Sequence, residues 1–324
     1  MTYQPTRSSL NAHLGPSFGA NLAEAPLMQQ TLLSAVDCSG IGVHSGEKVT
    51  LHIKPAPVDS GITFVRTDIT KGLREIPARW DHVVRTELCT VIGNKAGVEV
   101  GTIEHLMAAL HAYGVTNAVI EIDGPEVPIM DGSSDSFVFL LEMAGVVPQN
   151  AARKMIEILS PIQVEHQGKL ASLSPSLEPT FTCDIDFGQA PINRQSYHFT
   201  LSLENFKAEL SRARTFCTHE DYEKMRANGL ARGGSLDNAV YIQDQRVMNE
   251  DGLRYWDEFV RHKNLDAVGD MSLAGALIIG AYYSSRPGHA MNKRLNDALF
   301  ADTSKWRYVT DASQPSAGRP FMRR

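Results

Sequence analysis

The chain has no apolar run long enough to cross a bilayer: its best candidate, 273–283, is interrupted by Gly275 and Gly280, whereas spanning takes about 20 apolar residues. That run is expected to be core. Residues 1–27 also lack a signal-type hydrophobic region and read as a flexible extension. Cysteine is scarce. Cys38, Cys89, Cys183 and Cys217 lie far apart with no C-x-x-C pair, which leaves neither a disulfide framework nor a cysteine zinc site and fits a reducing compartment. An excess of basic charge is missing too. With 31 Lys and Arg against 37 Asp and Glu, the net charge of -6 is the opposite of a nucleic-acid-binding surface. A local basic pocket for one anionic ligand remains compatible.

What is present is ordinary globular composition, 43% hydrophobic and 21% charged over 324 residues, a length that favours two domains. Between 29 and 67 the alternation of Val49, Leu51 and Ile53 with polar neighbours predicts an antiparallel sheet. Thr102 is expected to cap a helix whose Ile103, Leu106, Met107, Leu110 and Tyr113 form one stripe, stopped by Gly114. A strand over 117–122 and a helix over 135–144, closed by Gly145, follow. Residues 148–153 are polar and turn-like and mark a boundary. Beyond them strands (156–165, 170–174, 180–187) again precede helices (255–268, 290–300). The fold class is therefore α+β, two similar domains each of a β-sheet packed with α-helices. The expected division is an extension at 1–27, domains at 28–150 and 151–310, and a tail at 311–324. Within the second domain, 219–229 predicts a short charged helix, an insertion of the sort that contacts substrate.

Three segments carry chemistry. Glu104 and His105 follow Thr102 in the first helical turn, off the apolar stripe; the plain alternative is a dipole-complementing glutamate beside a surface histidine. In F-V-R-H-K-N-L-D-A-V-G-D (259–270), His262, Asp266 and Asp270 advance by about 40° each and share one helix face. Lys263 lies beside them, and the plain alternative is a solvated set of ion pairs. Pro287-Gly288-His289 presents a histidine at the start of a helix. Together, His105, His262 and Asp266 offer the three nitrogen and oxygen ligands that a catalytic zinc needs, with one position open for water. Ferrous iron suits the same donors. The H-E-x-x-H arrangement is absent, since Glu104 precedes His105, so a thermolysin-like protease is disfavoured.

T-I-E-H-L (102–106), S-R-A-R-T-F (211–216), F-V-R-H-K-x-L-D-A-V-G-D and G-H-A (288–290) resemble the UDP-3-O-acyl-N-acetylglucosamine deacetylases of lipid A synthesis. G-I-G-V-H-S-G (40–46), P-E-V-P-I-M-D-G-S (125–133), G-G-S (233–235) and N-E-D-G-L-R (249–254) extend the likeness over roughly 31–309. The resemblance implies two α+β domains with the active site between them and zinc on His105, His262 and Asp266. It implies Glu104 as general base, His289 as second catalytic acid, Asp270 as its orienting carboxylate, Thr215 at the oxyanion and Lys263 as a charge-stabilising lysine. Leu88 and Cys89 would wall the site, and Phe216, Tyr222, Gly234, Ser235 and Tyr241 would border a narrow apolar passage for the 3-O-acyl chain. Cys217 stands where that family usually has glycine, which bears on acyl-length preference. Lys293 and Arg261 are candidates to meet the diphosphate. The implied enzyme is a cytoplasmic, monomeric hydrolase of a Gram-negative bacterium that acts on an acylated UDP-sugar and has no obligate protein partner. Two other classes compete. A non-turning-over sugar-nucleotide or acyl-chain binding protein would not need Glu104 and His289, and a zinc hydrolase of another amide would not need the inserted segment.

Overall fold

In the strand Lys48–Pro55 the side chains of Val49, Leu51 and Ile53 are buried and the residues between them less so, the period-two pattern of a sheet covered on one face. This strand belongs to a computed structural model that describes residues 28–188 and 191–310. The extension expected at 1–27 and the tail at 311–324 lie outside the described residues.

Five strands make the first sheet: β1 (Val36–Ile41), β2 (Lys48–Pro55), β3 (Ile62–Arg66), β4 (Glu75–Pro77) and β5 (Ala118–Ile122), in the order β1-β2-β5-β3-β4. Its pairs are antiparallel except β3 with β5. The sheet is thus mixed rather than purely antiparallel, because the chain crosses back through a helix before β5 enters between β2 and β3. The second sheet repeats this plan strand for strand. Its members are β6 (Ile162–His166), β7 (Lys169–Ser174), β8 (Thr180–Ile185), β9 (Gln195–Thr200) and β10 (Ala281–Ser285), in the order β6-β7-β10-β8-β9. Again one pair, β8 with β10, is parallel. The fold is α+β.

Two expectations about strands are corrected. Residues 156–165 form not one strand but two, Met155–Ile158 and Ile162–His166. The turn-like stretch 148–153 lies mostly inside the strand Val146–Ala152, paired with Met28–Leu32. Its polarity misled because Gln149 is occupied: its Nε2 donates to the Ala56 carbonyl and its Oε1 accepts from Asn117.

The helices that matter for the site are α1 (Glu104–Ala112), α2 (Asp135–Ala144), α3 (His219–Ala227), α4 (Glu258–Ser272) and α5 (His289–Ala301). Thr102 does not cap α1. It adopts φ +56°, and its hydroxyl donates to Glu126 Oε1 at 2.8 Å instead of serving the helix. Gly114 and Gly145 do end their helices, at φ +70° in both cases, where a side chain would be strained. Residues 104–110 of α1 are all buried, so Glu104 and His105 do not look out to solvent but across to α4, against which α1 packs. Gly269 of α4 permits that approach, because a Cβ there would run into the Glu104 backbone carbonyl. On its other sides α4 leans on β8, β9 and α5, and α5 on β6 and β7. The interface of α1 with α4 lies within one continuous hydrophobic cluster drawn from both sheets and their helices.

Candidate metal and catalytic site

The close crossing of α1 and α4 brings together three side chains that sequence places far apart. His105 Nε2 lies 3.6 Å and His262 Nε2 3.3 Å from Asp266 Oδ1, and the two imidazoles meet edge to face with centroids 5.0 Å apart. These are close to the roughly 3.4 Å edge of a tetrahedron with zinc-ligand bonds of about 2.0–2.1 Å. Asp266 Oδ1 is buried and accepts no hydrogen bond, an unpartnered oxygen that a cation would satisfy. Among the described residues this is the one cluster of three or more His, Cys, Asp or Glu able to hold a metal ion. The protonation states suit ligation. Burial lowers the His262 pKa to about 3 against the pull of Asp266, so the ring is neutral. Its Nδ1–H donates to the Ala213 carbonyl at 3.0 Å, which turns Nε2 toward the site. Burial opposes ionisation of Asp266, but His262 and Lys263 hold its carboxyl well below the usual range. With His262 neutral, the ammonium of Lys263, 2.9 Å from Oδ2, is the charge that matters.

Beside the cluster stand a buried carboxylate and a buried imidazole. Glu104 Oε1 is 3.7 Å from His289 Nε2, and burial raises the Glu104 carboxyl above the ordinary range although His289 and His105 pull it down. For His289 burial alone would lower the pKa; the carboxylates of Asp270 and Glu104 overcome it and push the imidazole up to about 10. Its Nδ1–H donates to Asp270 Oδ2 at 2.8 Å. Asp270 is itself fixed by Thr90 Oγ1 (2.6 Å) and Asn292 Nδ2 (2.8 Å). Thr90 also donates its backbone N–H to Glu104 Oε2, so one residue ties Glu104 to the Asp270–His289 pair. Sequence reasoning missed Thr90, which sits in a loop with no periodic signal. It missed Asn292 too, although a residue three after His289 shares its helix face.

The cluster opens into a cavity of about 1040 Å³, at the upper end of the roughly 300–1,000 Å³ range of ligand pockets. Glu104, His289, Thr215 and Lys263 line it, and so do all seven residues expected at the substrate: Leu88, Cys89, Phe216, Tyr222, Gly234, Ser235 and Tyr241. Asp270 stands behind His289 rather than on the wall. Tyr222 and Tyr241 contact edge to face at 5.7 Å, and Cys217 is on the wall as well. The two basic candidates for a diphosphate fall elsewhere. Arg261 is clamped by Asp257 and Tyr197, and Lys293 pairs with Asp297; neither lines the cavity. Lys169, Lys224 and Arg294 do.

Comparison with known proteins identifies the family. The family model described as LpxC, UDP-3-O-acyl N-acetylglycosamine deacetylase, matches residues 29–301. The chain belongs to that deacetylase family. A UDP-3-O-acyl-N-acetylglucosamine deacetylase of Shewanella pealeana is 47% identical over 297 residues, covering 91% of this chain and 97% of its own. Its counterpart in Shewanella frigidimarina is 46% identical over 298 residues, with the same shares. As a deacetylase of this family the chain is an amide hydrolase, and the shared motifs away from the cluster have structural work. Glu126 of P-E-V-P accepts the backbone N–H groups of His44 and Ser45 and the Thr102 hydroxyl, which pins G-I-G-V-H-S-G beside the first helix. Gly233 of G-G-S lies so close that a Cβ would strike the Gly42 carbonyl. Arg254 of N-E-D-G-L-R reaches Asp131 at 2.7 Å, and Arg214 of S-R-A-R-T-F pairs with the buried Glu258 at 2.8 Å.

Proposed function

We propose that this deacetylase hydrolyses the N-acetyl group of a UDP-3-O-(3-hydroxyacyl)-N-acetylglucosamine, giving acetate and the free amine, with a divalent ion, zinc, held by His105, His262 and Asp266. The observation that carries the reading is the orphaned Asp266 oxygen facing two imidazole nitrogens, with Glu104 and His289 beside them. The His-His-Asp set accepts ferrous iron as well. The ion, when bound, polarises the amide carbonyl and brings the pKa of water to about 7. Glu104 takes the proton of the attacking water on Oε1, since Oε2 already accepts from Thr90. Thr215 and Lys263 meet the charge that develops on the carbonyl oxygen. His289, protonated at Nε2, delivers its proton to the departing amine. The acyl chain enters the passage between Phe216, Tyr222, Gly234, Ser235 and Tyr241, Leu88 and Cys89 wall the site, and the diphosphate lies against Lys169, Lys224 or Arg294. In this reading the domains are 28–150 and 151–310, and the enzyme works as a cytoplasmic monomer supplying lipid A synthesis in a Gram-negative cell.

Metal content and acetate release, compared between wild type and His262→Ala, test the assignment. Both are expected to fall to background; a variant that keeps both ends it. The substrate class is tested with the unacylated UDP-sugar. Each buried methylene contributes about 0.8 kcal/mol, so kcat/KM is expected to drop by orders of magnitude, and an unchanged value would count against the acyl passage.

A further inference from the structure

A second cavity, of about 410 Å³, shares no lining residue with the large one. Met107 and His111 of α1, Ser272 at the end of α4 and Phe300 near the end of α5 form part of its wall. It therefore sits toward the far ends of the three helices whose first two turns carry Glu104, His262 and His289. Arg153, in the segment that joins the two repeated sheets, closes it.

Arg153 is only 4% exposed. Its Nε is buried without a hydrogen-bond partner, and among the described residues no carboxylate or carbonyl reaches any of its side-chain nitrogens. Arginine is almost never buried unless paired, because a desolvated charge without a counterion is costly. The surroundings do not supply that counterion. Asp59 is the single carboxylate on the wall; it is exposed and accepts from Gln29 at 2.7 Å. Arg79, also on the wall, is taken by Asp81. Lys154 stands exposed on the wall, with no ion pair among the described residues. Burial lowers the Arg153 pKa to about 10, so the group stays charged at neutral pH. Burial, reinforced by Arg153, brings His111 to about 3, which leaves a neutral ring and no second buried cation to repel.

We propose that this cavity is a binding site for a small oxyanion, a phosphate- or carboxylate-bearing metabolite clamped by the Arg153 guanidinium with Lys154 nearby on the wall. The planar guanidinium fork matches both groups in bidentate fashion. The site is separate from the deacetylase chemistry and stands or falls independently of it.

Trp80 lines the same cavity and stacks on Phe300 with centroids 4.7 Å apart, which makes its fluorescence a reporter. The full-length, metal-loaded protein would be titrated with inorganic phosphate, pyrophosphate and citrate at constant ionic strength. A saturable change with at least one probe is expected, weakened at least tenfold in Arg153→Met; phosphate against citrate separates the two chemistries. Anion binding in the large cavity would be indifferent to that substitution, so an unaltered titration in Arg153→Met, or none in wild type, overturns the proposal. If Arg153→Met does not fold, wild-type crystals soaked in tungstate decide: an anomalous peak beside Arg153 supports the site, and its absence refutes it.

Discussion

Glu104 and His289 face each other across 3.7 Å, and their surroundings tune each in the direction that its proposed role requires. Burial makes Glu104 a stronger base than a surface carboxylate, while Asp270 and Glu104 keep His289 protonated against burial, at about 10. Glu104→Gln preserves shape and removes the proton acceptor; acetate release should fall by about 10²- to 10⁴-fold with metal content unchanged, and loss of the ion would instead make Glu104 a ligand. In its proposed role as acid His289 must hold its proton, so activity is expected to decline as pH rises through its pKa. Asp270→Asn removes the charge that raises this pKa, and the basic limb of the kcat profile should move to lower pH; a limb that stays put would show that Asp270 does not tune the histidine. At this scale the proposed ligand pair was legible because His262 and Asp266 are one turn apart on a helix. Thr90 was not, since nothing in a loop's sequence announces two simultaneous hydrogen bonds. Arg261 was misread for a related reason: it lies about 100° round the helix from His262 and turns to Asp257 and Tyr197.

His105, His262 and Asp266 meet because α1 and α4 cross closely, and that closeness depends on Gly269. An added methyl would meet the Glu104 carbonyl, which is backbone and cannot swing aside. Gly269→Ala trades a better intrinsic helix former for this overlap. The overlap should win, destabilising by about 1–3 kcal/mol and weakening metal retention through displacement of His105. Thermal unfolding and metal content measure both effects, and a variant more stable than wild type with its metal intact would show that the helices have slack. From sequence this glycine reads only as a weak point in a helix. One helix could be predicted from its apolar stripe and the other from the ionisable strip of His262, Asp266 and Asp270, but the partner of each could not. Thr102 illustrates the same limit: its position before an apolar stripe signals a cap, whereas Glu126, remote in sequence, claims its hydroxyl. The repeated strands-then-helices order was readable, but the placement of β5 and β10 beside parallel neighbours follows from crossovers that local pattern does not encode.

Across the whole molecule, the two repeated sheets are joined rather than merely adjacent. One hydrophobic cluster includes Leu51, Phe64 and Ile120 of the first sheet and Leu173, Phe181 and Phe199 of the second. His105 comes from one half of the chain and His262 and Asp266 from the other. Neither half completes the cation site, and α1, buried over residues 104–110, would expose much of that surface if the second half unfolded alone. Unfolding should therefore be a single cooperative transition, despite two topologically equivalent units. An ion bound only by the folded state adds about 2.7 kcal/mol at a free concentration one hundred times its Kd. Calorimetry of the metal-loaded protein should then show one peak that shifts down as a unit when a chelator removes the ion. Two peaks, of which only one responds to the chelator, would mean that one half alone holds the metal, and would break the link between the α1–α4 crossing and catalysis.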